Sequence, residues 1–360
     1  MTEVYLKEIN SYTENALKDF VCTFFSTCGN FLRNKKKILL KPNLLQASKP
    51  EKGVTTHPEF VRQIIRALKE FGEFDILLGD SPGANFISYD KVLEKTGISK
   101  ICAEENVKII KIENFKPITV DGILISSIVN EVDLIVNIPK LKTHSLTGLT
   151  LAVKNLFGLV PGTNKVSYHR NNPKDTNLAE AIFKINDIVK DKTVHIIDGI
   201  LAHEENGPSN GKGVYLNIVG ASMCGISLDM AICDLLNLDR TFCLTNLAAI
   251  KNGFAKDFVV KGDISKRSIK LPFTKRNFNP PAFLKRFFAD KIYIKPEINK
   301  KCIKCLLCLK SCPVCAIKKT ADGDVVIDKS LCIECFCCHE VCEVGAIDLK
   351  RSLLHRITAR

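Results

Sequence analysis

No run of about 18 apolar residues in this sequence is free of charge, so no transmembrane helix is expected. The first twenty residues, MTEVYLKEINSYTENALKDF, lack a basic stretch followed by an apolar one, so no signal peptide is expected and the chain reads as cytoplasmic. No GxGxxG follows a strand-like run and no Walker A motif is present, so a tightly held dinucleotide is not indicated. A flavin or other organic cofactor stays open, because flavin sites need no short motif. No recognised nucleic-acid motif occurs either, and acidic residues are outnumbered, giving a net charge of +13.

Cysteine is abundant instead. Ten of the sixteen lie between Cys302 and Cys342, and the other six are scattered among apolar neighbours. In a reducing compartment, clustered cysteines read as metal ligands and scattered ones as small buried hydrophobes.

Those ten form an internal repeat. CIKCLLCLKSCPVCAI begins at Cys302, and CIECFCCHEVCEVGAI begins at Cys332. In C-x2-C-x2-C-x3-C, three cysteines wrap one cubane and the fourth, on the following helix, ligates the other. This assigns Cys302, Cys305, Cys308 and Cys342 to one [4Fe-4S] cluster, and Cys332, Cys335, Cys338 and Cys312 to a second. Zinc sites pair two C-x2-C knuckles across a longer loop, a pattern that fits two complete four-cysteine runs poorly. The repeat resembles bacterial-type ferredoxins. It departs from them at Glu343, which replaces a proline, and in the surplus Cys315 and Cys337; both are read as non-ligand thiols, with Cys337, beside Cys338, the alternative ligand.

Four parts are expected: an α/β domain over 1–260, a basic Pro/Phe-containing linker over 261–296, a 2[4Fe-4S] domain over 297–350 and a basic tail over 351–360. In the first, apolar runs at Lys37–Leu40, Asp75–Gly79, Val107–Ile112, Ile118–Leu124, Asp133–Ile138, Val194–Ile197 and Tyr215–Val219 suit strands buried on both faces. Amphipathic stretches lie between them. The clearest is Pro58–Phe71, with Val61, Ile64, Ile65 and Leu68 at helical spacing, Pro58 at its first position and Gly72 closing it. The fold class is therefore α/β, a mostly parallel sheet with helices on both faces, plus a small C-terminal α+β ferredoxin-like domain.

Polar groups follow several of these strands: Lys41 and Asn43, Asp80 and Ser81, Lys140, Lys142 and His144, and Asp198. In open parallel sheets, ligands bind beyond the carboxyl ends of the strands, so these loops point to one shared pocket. His57, at the start of the Pro58 helix, is either a neutral imidazole able to move a proton or a plain helix cap.

The phrases KPNLL, THPEFVRQIIRALKEFG, LLGDSPG, NIPKLKTHSLTGLTLAVKNLFGLVPG and IIDGI resemble the family called domain of unknown function 362, over roughly residues 36–260. Members of that family often carry a C-terminal ferredoxin module. A fainter likeness, to nickel-pincer lactate racemases, rests on His144, Lys154 and Pro161–Gly162. It implies that His144 and Lys154 face a pocket; the glycine pair those enzymes carry before the Lys is Ala152–Val153 here.

The leading expectation is an iron–sulfur protein, an oxidoreductase and more specifically a reductase. Lys41, Asn43, Lys140, Lys142, Lys154 and Asp198 would hold a small substrate or cofactor, while His57, Asp80 or His144 manage protons. Two alternatives remain: a non-catalytic electron-transfer protein that docks a redox partner, and a non-redox enzyme with structural or regulatory clusters. Residues 261–301 carry twelve Lys/Arg against three acids. That segment suits a solvated linker, an acidic redox partner or peripheral contact with an anionic membrane, and nucleic acid least of all.

Overall fold

The structure is a computed structural model that describes residues 1–13, 15–83, 87–172, 174–255, 257–275 and 294–352. The strands of the large body are β1 (Thr2–Glu8), β2 (Lys37–Pro42), β3 (Asp75–Leu78), β4 (Lys108–Ile109), β5 (Pro117–Val120), β6 (Ile123–Ser126), β7 (Leu134–Ile138), β8 (Lys140–His144), β9 (Gly148–Thr150), β10 (Thr193–Glu204), β11 (Lys212–Ser222) and β12 (Phe258–Lys261). Ten of these make one sheet whose main path is β12-β1-β11-β10-β7-β2-β3-β4. From β10 to β4 all neighbours are parallel, whereas β11 runs antiparallel to both β10 and β1. The sheet is thus mixed and mostly parallel.

Strand side chains alternate between faces. Ile38 and Leu40 pack with helices α1 (Asn15–Thr27) and α2 (Pro58–Phe71), whereas Leu39 enters a second core with α3 (Ala152–Asn155), α4 (Gly162–Asn171), α5 (Asp175–Val189) and α6 (Gly225–Leu235). Helices therefore cover both faces, as the sequence predicts, and each buried Leu or Ile contributes about 1.5–3 kcal/mol. Helix α2 spans its predicted range with Val61, Ile64, Ile65 and Leu68 buried.

Two strand expectations are corrected. Ile118–Leu124 is not one strand but the antiparallel hairpin β5–β6, set apart from the main sheet. Its turn is Asp121-Gly122, with φ of +49° and +76°, and Asp-Gly is favoured where two successive residues need positive φ. Over Val107–Ile112 only Lys108–Ile109 forms a strand, and a 3-10 turn begins at Ile112. Strand β8 was expected as a loop; it pairs with β10 and β9.

Residues 262–275 run along the body. Ile264 and Ile269 pack on its core, Arg267 N–H donates to Leu235 O (2.9 Å), and Thr274 Oγ1 donates to Ser145 O (2.7 Å). The short helix expected near Ala282–Phe288 lies outside the described residues.

The cysteine repeat folds as two antiparallel pairs, β13 (Ile294–Ile298) with β16 (Ile347–Arg351) and β14 (Ile317–Lys319) with β15 (Val325–Ile327), and two short helices, α7 (Leu307–Ser311) and α8 (Cys337–Glu340). It sits on the body through Arg170 Nε to Pro313 O (2.7 Å), Asn210 Nδ2 to His339 O (2.7 Å) and Ser209 Oγ to Glu340 O (3.0 Å).

Candidate functional site: a lysine-lined cavity under the cysteine repeat

The repeat is visible in the backbone. Lys304 and Leu306 in the first half, and Glu334 and Phe336 in the second, adopt left-handed φ of 55–63°. Such angles are disfavoured for side chains of this size and curl each C-x2-C-x2-C loop tightly. Cys312 Sγ accepts the Ala316 N–H (3.2 Å), and Cys342 Sγ accepts the Ala346 N–H (3.1 Å). Cys312, Cys332, Cys335 and Cys338, the four residues assigned to one cluster, line a single cavity with Val314, Ile317, Ile327 and Phe336. Cys315 is exposed, at φ +53°, where the second half has Gly345. Among the described residues, no three His, Cys, Asp or Glu side chains are grouped to hold a single metal ion.

A second cavity, of about 70 Å³, lies between repeat and body. Asn43, Asp80, Lys142, His144 and Lys154, all expected at a site, line it. So do Asn155, Lys165 and His169 from the body, and Ser311, Cys337, Glu340 and Val341 from the repeat. The strands place these groups as the α/β rule predicts: Asn43 follows β2, and Asp80 lies just past β3. In β8, the period of two puts Lys142 and His144 on one face.

Each polar group is oriented by its neighbours. His144 Nδ1 accepts the N–H groups of Leu146 (3.1 Å) and Thr147 (3.3 Å). Its proton is therefore on Nε2, which points at Glu340 Oε1 (3.2 Å). Burial lowers the His144 pKa to about 4, so the ring is neutral near pH 7. Burial would raise the Glu340 carboxyl, but His144 and Lys154 outweigh it and hold the acid down at about 2.

Lys142 Nζ donates to Asn43 Oδ1 (2.9 Å) and Val54 O (2.7 Å). From Asn43 an amide chain runs inward, Asn43 Nδ2 to Asn155 Oδ1, then Asn155 Nδ2 to Asn137 Oδ1, both 2.8 Å. Lys165 Nζ donates to the carbonyls of Ser81 (2.5 Å) and Pro82 (2.8 Å). Lys154 has no hydrogen-bond acceptor among the described residues; its ammonium lies 5.1 Å from the Phe157 ring centroid. Asp229 fixes the turn that carries it, accepting the Ala152 N–H (2.7 Å) and Val153 N–H (3.1 Å).

Lys41 is fully buried and paired with Asp80 at 2.7 Å, and the second Asp80 oxygen accepts the Leu44 N–H. A Cβ added at Gly158 would stand 2.0 Å from Asp80 Oδ1 and 2.5 Å from Lys41 Nζ. Gly158→Ala is therefore expected to displace this pair at a cost of roughly 1–3 kcal/mol. A lower urea midpoint is the expected reading, and an unchanged one contradicts this packing.

Three expected site residues lie elsewhere. Lys140 donates to Asp198 Oδ2 (2.7 Å), Tyr12 OH donates to Asp198 Oδ1 (2.9 Å), and the His57 N–H donates to Asp198 Oδ2 (2.9 Å). The His57 ring stacks on Tyr12 with centroids 3.7 Å apart, and its Nδ1 caps α2 through the Glu59 N–H. This buried network satisfies its own charges and does not line the cavity. In the sequence each follows an apolar run or opens a helix, whereas Tyr12, which draws them together, lies far off in the chain. Lys165 and His169 carry no local signal, because Val166 and Tyr168 are the only apolar side chains of α4 and set no helical pattern. Glu340 was hidden among cysteine ligands and reaches the cavity only through docking of the repeat.

Fold and site together define an α/β protein with a polar cavity at its strand ends, roofed by a cysteine-repeat module. The chain belongs to the family described as domain of unknown function (DUF362), whose family model matches residues 38–234. It is 33% identical over 216 residues to the thylakoid-associated protein sll1697 of Synechocystis sp., a match covering 59% of this chain and 66% of that protein. It is 41% identical over 49 residues to pyruvate synthase subunit PorD of Methanocaldococcus jannaschii, covering 14% of this chain and 57% of that subunit. The chain thus matches less than two thirds of the length of either relative. A crystal structure of a Thermotoga maritima protein, a structural-genomics target, aligns with a TM-score of 0.41 at 15% identity, over 61% of this chain and 57% of that one. No helix among the described residues is long and apolar enough to cross a membrane.

Proposed function

We propose that the cysteine repeat is a ferredoxin-type module holding two [4Fe-4S] clusters, and that the chain is an iron–sulfur reductase acting on a small molecule in the cavity beneath it. The donor set fits the clusters: two complete C-x2-C-x2-C-x3-C runs, tightly curled loops, and four cysteines around one cavity. When bound, the clusters supply electrons one at a time. The observation that carries the reading is the roof of the substrate cavity. Ser311, Cys337 and Val341 line it, and each is next in sequence to an assigned ligand, Cys312, Cys338 or Cys342.

The body's residues then have defined tasks. Lys142 and Lys154 hold negative charge, and Phe157 walls off water. His144 donates a hydrogen bond from Nε2, the only ring nitrogen not already accepting backbone N–H groups. Exposed Cys305 and Ile303 give a redox partner access to the other cluster. A chain serving only to dock such a partner would show cluster reduction with an empty cavity.

The test is anaerobic purification followed by mass spectrometry of small molecules released on denaturation. Lys142→Ala and His144→Ala are expected to lose about tenfold or more of the bound molecule with unchanged cluster spectra. Retention in both variants contradicts this cavity. Burial lowers Lys142 to about 7, so the free protein loses a positive charge as pH rises through that value. Affinity for a negatively charged ligand is then expected to fall by up to about tenfold per pH unit above 7, because binding must restore the proton. Equilibrium dialysis at pH 6 and 8 reads this directly, and a flat profile contradicts it.

A further inference from the structure

The charges in the cavity are unbalanced in a way that specifies a ligand class, an inference that rests on the substrate cavity proposed above. Three lysines line the space: Lys142, Lys154 and Lys165. Two carboxylates do as well, but Asp80 is already neutralised by Lys41 at 2.7 Å, which leaves Glu340 alone. His144, its partner, is neutral because its Nδ1 is occupied as an acceptor. When all three lysines are protonated, the side chains lining the cavity therefore carry two positive charges in excess, a state that a bound anion favours.

Lys142 and Lys165 have only neutral carbonyl acceptors, and Lys154 has none among the described residues. Ammonium groups withdrawn from water without an anion are costly, and a ligand of matching charge removes that cost. The cavity's small volume, about 70 Å³, suits a compact ligand. We infer that the cavity binds a compact dianion, an oxyanion or short dicarboxylate, with Lys154 as its principal ligand and Glu340 as the internal carboxylate that opposes it.

The probe is sulfate, a dianion throughout the neutral range, with nitrate as the compact monoanion. Equilibrium dialysis of the anaerobic full-length protein with radiolabelled sulfate is expected to show one site per chain. Nitrate should compete at least tenfold less well. Lys154→Gln should weaken sulfate about tenfold, as expected for loss of a charged hydrogen bond, while Lys154→Arg should retain it. Glu340→Gln should strengthen it severalfold, since a competing negative charge is gone. Equal affinity for the two anions, no sulfate binding up to about 10 mM, or undiminished binding in correctly folded Lys154→Gln overturns the inference. Electron paramagnetic resonance on the same samples separates the two readings. Sulfate binding without clusters sinks the redox proposal alone, and clusters without sulfate binding sink the dianion alone.

Discussion

Replacing Cys338 with serine is expected to remove one of two clusters, lowering iron from about eight to about four atoms per chain. The cavity between Cys312, Cys332, Cys335 and Cys338 has apolar walls, and Cys338 is buried in the small core with Ile317, Val325 and Ile347. A serine hydroxyl there supplies a poor ligand and leaves a polar group among those side chains. The module should then loosen against the body, which it contacts through His339 and Glu340 on the same helix. Cys315→Ser is the control. Its side chain is exposed, and its backbone occupies the position held by Gly345 in the other half, so iron content should be unchanged. Cys337→Ser is likewise expected to keep both clusters, because that residue lines the cavity between repeat and body. Iron and sulfide analysis of the three variants decides the ligand assignment. Full iron in Cys338→Ser, or a loss in Cys315→Ser, contradicts it.

The second large effect concerns stability. Lys140→Met is expected to cost about 3–5 kcal/mol, because it strands a buried carboxylate. Asp198 has no solvent exposure, and Lys140 is the only cation hydrogen-bonded to it among the described residues. The Tyr12 hydroxyl and the His57 N–H would remain as donors, but neither carries a charge. Burial and the Asp198 charge push the Tyr12 phenol well above its ordinary range, so it stays protonated. Removing both charges, as in Lys140→Met/Asp198→Leu, should recover much of the loss. Urea unfolding followed by far-UV circular dichroism measures this. Wild-type stability in Lys140→Met contradicts the buried pair. Ligand binding in the cavity should survive in whatever fraction folds, since this network stands apart from it.

Much of the body was legible because its strands are buried on both faces and read as apolar runs. Helix α2 was legible because its apolar residues recur at helical spacing between a capping His57 and Gly72. The hairpin at Asp121-Gly122 was missed although its turn dipeptide is a strong signal, because the flanking residues merge into one apolar stretch. Strand β1 was overlooked for the opposite reason. Only Val4 and Leu6 of it are buried, and its other residues are partly or fully exposed.

The site was legible in part. Asn43, Asp80, Lys142 and His144 share the strand ends, so the topology alone brings them together. Asp198 does not follow its strand as expected but lies inside β10, which runs on to Glu204, and it is claimed by Lys140, a tertiary pairing across 58 positions that no local pattern encodes. Glu340 and Cys337 enter from a module more than 180 residues beyond Lys154. Their role follows from docking, not from any motif.

Two [4Fe-4S] clusters are proposed to stand over an anion-binding cavity. The most direct measurement is iron and acid-labile sulfide content of the anaerobically purified chain, with electron paramagnetic resonance after dithionite reduction. The expected result is about eight iron and eight sulfide per chain, with a low-temperature signal broadened by two interacting clusters. Zinc in place of iron, or iron at four per chain or fewer after full reconstitution, would contradict the account.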